Sequence, residues 1–207
     1  MKKEVKISEG VPRTRVQTLS DLIFGLALSI GALTLLSGKP TTDLSLFESL
    51  ASFGFAFYIL AVVWLNYTRI SSASPVETEK LLRLTLVLLF LVSVEPYLYN
   101  LITISFSPLP GQLGSSTTTS VWAVDMGAIY LILATFTHQI TVESGRSMPA
   151  DLLQSYRRIR GASLLGSGIF LASALPIFWD YSLFNLEIRF WLWATVLVVR
   201  ILRRTIG

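Results

Sequence analysis

The sequence predicts an all-α membrane protein with six transmembrane helices and both termini in the cytoplasm, and three observations carry that reading. First, the chain is 52% hydrophobic with a mean hydropathy of +0.62, and 14% of its residues are charged, against roughly 25% in soluble domains. Second, six apolar stretches approach the ~20 residues that cross a bilayer as a helix: Val16–Leu36, Leu46–Ile70, Leu81–Ile104, Val121–Val142, Ala162–Trp179 and Leu186–Leu202. Third, the basic residues sort to one side. Of the 17 lysines and arginines, all but Lys39 and Arg189 fall inside when the N-terminus is inside, as the positive-inside rule requires. The inner set is Lys2, Lys3, Lys6, Arg13, Arg15, Arg69, Lys80, Arg83, Arg146, Arg157, Arg158, Arg160, Arg200, Arg203 and Arg204. The pI near 9.5 therefore reflects topology, and no nucleic-acid partner is needed to explain it.

The loops are too short for a separate soluble domain, so residues 1–207 read as one six-helix unit with 1–14 as a cytoplasmic tail. No three-helix repeat relates the two halves. The first apolar run is longer than a signal-peptide core and is followed by five more, so it reads as a retained helix. With no cysteine and one histidine, neither a disulfide nor a transition-metal site is supported. Nucleophiles, bases and metal ligands do not cluster at one depth, so neither an enzyme nor a cofactor is expected.

Taken in order, the tail passes through Gly10-Val11-Pro12 into the first helix, which the turn Ser37-Gly38-Lys39-Pro40 ends on the outside. The second helix returns inward and closes at Ser71-Ser72-Ala73-Ser74-Pro75. Glu77 and Glu79 suit the positive N-terminal end of the third helix. Ser105–Ser120 contains Pro108, Pro110, Gly111, Gly114 and a Ser/Thr run, and reads as a flexible, solvated outer loop. Its threonines do not form a threonine-valine-glycine-tyrosine-glycine filter. The basic inner connection Glu143–Arg160 suits a short helix on the membrane surface, touching anionic lipid headgroups; specific lipid regulation is the narrower version of that reading.

The first helix carries the strongest functional signal. At about 100° per residue, Leu19, Leu22, Leu26, Ser29, Ile30 and Leu33 form one stripe, and Asp21, Gly25, Leu28 and Ala32 form the opposite flank. Small residues favour close helix approach, so the flank with Asp21 is expected to pack. The stripe suits lipid or a neighbouring helix, as leucines usually do. Ser29 at mid-membrane depth favours a pore instead, where aliphatic rings gate by dewetting and a hydroxyl is a weak ion ligand. One helix cannot enclose a pore, so several copies would surround an axis. At the inner edge, Arg15, Ser20 and Asp21 match Trp64, Asn66 and Tyr67 of the second helix in depth, and Arg15, Ser20, Asp21, Trp64 and Asn66 suit a latch of hydrogen bonds and cation–π contact. An interfacial aromatic belt explains Trp64 and Tyr67 but not Asn66.

Arg15-x-x-x-Leu19-Ser20-Asp21 resembles the Arg-x-x-x-Phe-Ser-Asp signature of the transmembrane protein 175 family of potassium channels. Phe57-Tyr58 with Trp64-Leu65-Asn66-Tyr67 resembles that family's aromatic second-helix segment, which ends in a Trp-x-Asn-His type pattern. The resemblance to single-repeat prokaryotic members extends over the whole chain. It implies a homotetramer in the plasma membrane of a prokaryote, with the pore on the symmetry axis, lined by the first helix. It implies a potassium-permeable path without a conventional filter loop, gated by Leu26, Ile30 and Leu33, with Ser29 at the selectivity position. Partners implied are further copies of the chain, membrane lipid, potassium and other monovalent cations. Leu19 stands where the family has phenylalanine, and Tyr67 where histidine is frequent.

Three other polar residues fall in apolar runs. Glu95, before Pro96, and Asp125 suit an outer vestibule that concentrates cations, although Pro96 frees a backbone carbonyl and Glu95 suits a local repair there. His138, near the inner end of the fourth helix, suits a structural hydrogen bond. Together Glu95, Asp125 and His138 define the competing reading, a proton-coupled transporter.

Overall fold

In a computed structural model of the chain, the described residues are 15–37, 42–72, 78–105, 115–144, 148–178, 181–183 and 186–205. The expected tail at 1–14 lies outside them. Six helices follow in order: α1 (Arg15–Ser37), α2 (Asp43–Ser72), α3 (Glu79–Ser105), α4 (Ser115–Ser144), α5 (Ala150–Ser173) and α6 (Ile188–Thr205). Between α5 and α6 the chain makes a single 3-10 turn, Pro176–Phe178, and a small antiparallel hairpin of β1 (Ser182–Leu183) and β2 (Leu186–Glu187). Among the described residues, four helices are long and apolar enough to cross a membrane: α1, α2, α3 and α4.

Local chemistry sets several ends. Asp43 occupies the first turn of α2 and Arg69 its last, each complementing the helix dipole. At the start of α3, Thr78 Oγ1 accepts the Leu81 N–H at 3.4 Å, and Glu79 pairs with Arg83 one turn on. Pro149 precedes α5 with φ −54° and ψ 143°, an extended lead-in that its ring favours.

Two boundaries differ from the sequence reading. The Ser/Thr run assigned to a flexible outer loop instead opens α4, and Thr118 and Thr119 are buried. Thr119 and Ser120 donate to the Ser116 carbonyl at 3.1 and 2.8 Å. These hydroxyls satisfy themselves on their own helix and so need no solvent. The described residues 150–160 of the basic connection are not a separate surface helix either: they form the first turns of α5, continuous with the apolar part.

α4 is the hub. It packs along α3 and α5 and touches α2, while α1 packs on α2 and α3. Trp122 of α4 is fully buried and meets a ring from each of four other helices: Phe55 of α2, Tyr99 of α3, Phe170 of α5 and Trp193 of α6, at centroid distances of 6.4, 6.0, 5.6 and 4.5 Å. Small residues let α4 and α5 approach closely. Ser167 donates to the Gly127 carbonyl at 2.8 Å, and a Cβ at Gly127 would stand 2.7 Å from Leu171 Cγ.

Candidate functional site

α1 has two unlike faces. Ser20, Phe24 and Ala27 are buried, and Gly31 lies against Phe53 of α2. On the other side Leu19, Leu22, Leu26, Ile30 and Leu33 are 42–66% exposed, with Gly25 and Ser29 exposed among them. The aliphatic stripe thus lies where periodicity placed it. The packed flank does not: Gly25 is on the open side, and Asp21, Leu28 and Ala32 are half-buried at its edge. The large Phe24 ring sets the inward direction, stacking on Tyr67 of α2 at 5.9 Å, and small residues alone did not reveal that.

Ser29 donates to the Gly25 carbonyl at 2.8 Å. This removes one reason for expecting a pore, because its proton is satisfied on its own helix whatever the face adjoins. The oxygen nevertheless sits on the exposed face and retains acceptor capacity.

A polar anchor fixes the N-terminal end of α1 to the C-terminal end of α2. The Trp64 indole N–H donates to Asp21 Oδ1 at 3.0 Å. Ser20 Oγ gives its only proton to the Val16 carbonyl at 2.8 Å, so in the 2.9 Å contact between Ser20 and Tyr67 the phenol is the donor. Gln17 Nε2 adds a bond to the Ser71 carbonyl at 3.1 Å. Tyr67 also meets Phe136 of α4 edge-on at 5.9 Å, which ties the anchor to the hub.

Two of the residues assigned to this latch from sequence are not brought into it. Arg15 is exposed and Asn66 is buried, and among the described residues neither bonds another latch member. The helical period explains Asn66: Trp64 and Tyr67, three apart, share a face, and Asn66 projects elsewhere. Tyr67 and Gln17 take those places. Depth matching had put Tyr67 beside Ser20 in the sequence; nothing there marked Gln17.

Glu95 and Asp125 are inside the bundle, 2% and 8% exposed, so neither is displayed on an open vestibule of the subunit. Trp122 Nε1 donates to Glu95 Oε1 at 3.3 Å. Roughly 20 Å of helix separates Asp125 from His138, too far for the three groups to form one relay. His138 is exposed and contacts Arg160 of α5, with Nη1 3.1 Å from its Nδ1. Arg189, which hydropathy alone would place at a surface, is fully buried and donates to the Ser116 carbonyl at 3.2 Å. Among the described residues no group of three or more His, Cys, Asp or Glu could hold a metal ion.

Residues 15–96 match the family model described as the endosomal/lysosomal potassium channel TMEM175. The matched segment contains the open face of α1, all of α2 and the whole anchor. Two solved structures share the fold. One is a variant of the potassium channel MtTMEM175 in complex with a nanobody-MBP fusion protein, with a TM-score of 0.63 at 19% identity, covering 95% of this chain and 96% of that one. The other is a lysosomal potassium-selective channel TMEM175 homolog from Chamaesiphon minutus, with a TM-score of 0.65 at 18% identity, covering 93% and 97%. No curated protein matches the chain. The match and the four helices long and apolar enough to cross a membrane support a multi-pass membrane protein.

Proposed function

We propose that the chain is one subunit of a homotetrameric, potassium-permeable cation channel whose pore is lined by α1. The observation that supports this best is the open aliphatic face of α1, on a helix whose opposite side is fixed by the anchor. Its composition differs from the exposed face of α3, where Phe90 and Tyr97 project beside Leu86 and Val87 as on a lipid-facing helix. The α1 face has no aromatic residue, but has a glycine and a serine among branched aliphatics.

In this reading all six helices span the membrane with both termini inside, as one domain in a prokaryotic plasma membrane. Copies of Leu26, Ile30 and Leu33 form constrictions that close by dewetting. Ser29, one turn from Leu26 and Leu33, offers the permeant ion its hydroxyl oxygen, and no filter loop is required. The family description and the two solved channels name potassium as the ion.

The test is ion flux in liposomes containing purified protein, under potassium and then sodium gradients. Leu26→Ala and Ile30→Ala should raise potassium flux above wild type, and Ser29→Ala should change the ratio of potassium to sodium flux. No flux from any variant, in protein shown to be folded, overturns the channel reading.

A further inference from the structure

We propose that α5 and the C-terminal part of α4 form a binding site for an anionic phospholipid. Its headgroup phosphate is held by Arg157, Arg160 and His138, and an acyl chain lies along α5. The placement of this site in the membrane rests on the six-span reading.

Arg157 and Arg160 are three residues apart on α5 and therefore neighbours on one face. Arg157 is exposed and Arg160 half-exposed. Neither is paired with a carboxylate among the described residues. Arg160 instead points a guanidinium nitrogen at His138 Nδ1, 3.1 Å away. A guanidinium can only donate, so Nδ1 accepts and the ring proton sits on Nε2. The contact fixes both side chains. It leaves the remaining Arg160 N–H groups and His138 Nε2–H as donors beside Arg157, at the edge of the apolar part of the bundle. Two guanidinium forks and an imidazole N–H suit the oxygens of a phosphate.

The surface below these groups argues for a lipid as the source of that phosphate. Continuing along the same face of α5, at about 100° per residue, come Gly161, Leu164, Gly168 and Leu171. A Cβ at Gly161 or Gly168 would meet nothing within 4 Å, so the face is shallow at two points between projecting leucines. Leu164 and Leu171 are 49% and 39% exposed. An apolar strip of this form, headed by Arg157 and Arg160, fits one acyl chain beneath one anionic headgroup. α1 packs on α2 and α3 whereas α5 packs on α4 and α6, which puts this strip away from the helix assigned to the pore.

Native mass spectrometry of the purified full-length protein tests this without any flux measurement, so a failure of the channel reading and a failure of this one are distinguishable. Dioleoyl phosphatidylglycerol, dioleoyl phosphatidylcholine and inorganic phosphate are each titrated. Wild type should retain phosphatidylglycerol in preference to phosphatidylcholine. Arg157→Gln and Arg160→Gln should each weaken retention about tenfold, the usual scale of one charge-assisted bond. Arg158→Gln, on a different face of α5, should not. Arg160→Lys keeps the charge without the fork and should fall between wild type and Arg160→Gln, which separates headgroup recognition from misfolding. Equal retention of the two lipids, equal loss in Arg158→Gln, or inorganic phosphate displacing the lipid at equal concentration would each overturn the proposal.

Discussion

α1 and α4 are both long helices of nearly the same hydropathy, yet the fold treats them oppositely. In their most apolar windows 17% of α1 is buried within the subunit and 61% of α4. α4 satisfies its side chains inside the chain, through the Trp122 hub and the close Gly127 contact with α5. α1 is held by hydrogen bonds at one end and by the Phe24 side, and leaves a row of aliphatics open. Apolar content therefore does not say which helix is core. The distinction comes from where rings and glycines stand, and in the proposed channel the open row faces further copies of the chain.

Substitutions on the two helices sharpen this contrast, read as thermal unfolding of the purified protein. Leu133 of α4 is fully buried, and Leu133→Ala should cost about 2–5 kcal/mol through the lost contacts and the cavity left behind. Leu26→Ala, the same change on the open face, should stay within about 0.5 kcal/mol while altering flux. A large loss of stability at Leu26 would mean that its face is already packed.

Glycines give the next largest difference. Gly127→Ala forces a Cβ against Leu171 and should cost about 1–3 kcal/mol by overpacking. Gly25→Ala meets nothing within 4 Å and should stabilise the isolated subunit by up to about 1 kcal/mol through helix propensity.

The anchor gives smaller losses than the core positions of α4. Trp64→Phe removes one donor to half-buried Asp21 and should cost about 1 kcal/mol. Tyr67→Phe removes the proton donated to Ser20 while keeping both ring contacts, and should cost about 0.5–1 kcal/mol. Amide exchange at the N-terminal turns of α1 should rise in both, and unchanged exchange there would remove the anchor's role.

Much of α1 to α4 was legible in the sequence, because hydropathy and turn residues speak directly to span and boundary. The start of α4 was not: a Ser/Thr run reads as loop, and its hydroxyls are satisfied by bonds to its own helix. The aliphatic stripe of α1 follows from a period. Its packed side depends on Phe24 meeting Tyr67, a long-range contact that no local pattern contains. Likewise Glu95 and Asp125 read as polar residues near an outer surface, and only the packing of α3 against α4 buries them. The hub at Trp122 draws rings from across the chain, and so it is invisible to any window of sequence.

The absence of cysteine allows the most direct test of what the open face adjoins. Single cysteines are introduced at Leu26, Ile30 and Leu33 of α1, and at Leu86 and Phe90 on the exposed face of α3. Potassium flux in liposomes is then followed as a water-soluble, charged thiol reagent is added. Block in the α1 variants with none in the α3 variants is the predicted result. Flux that continues unchanged after all three α1 cysteines have reacted, or block confined to α3, would contradict a pore lined by α1.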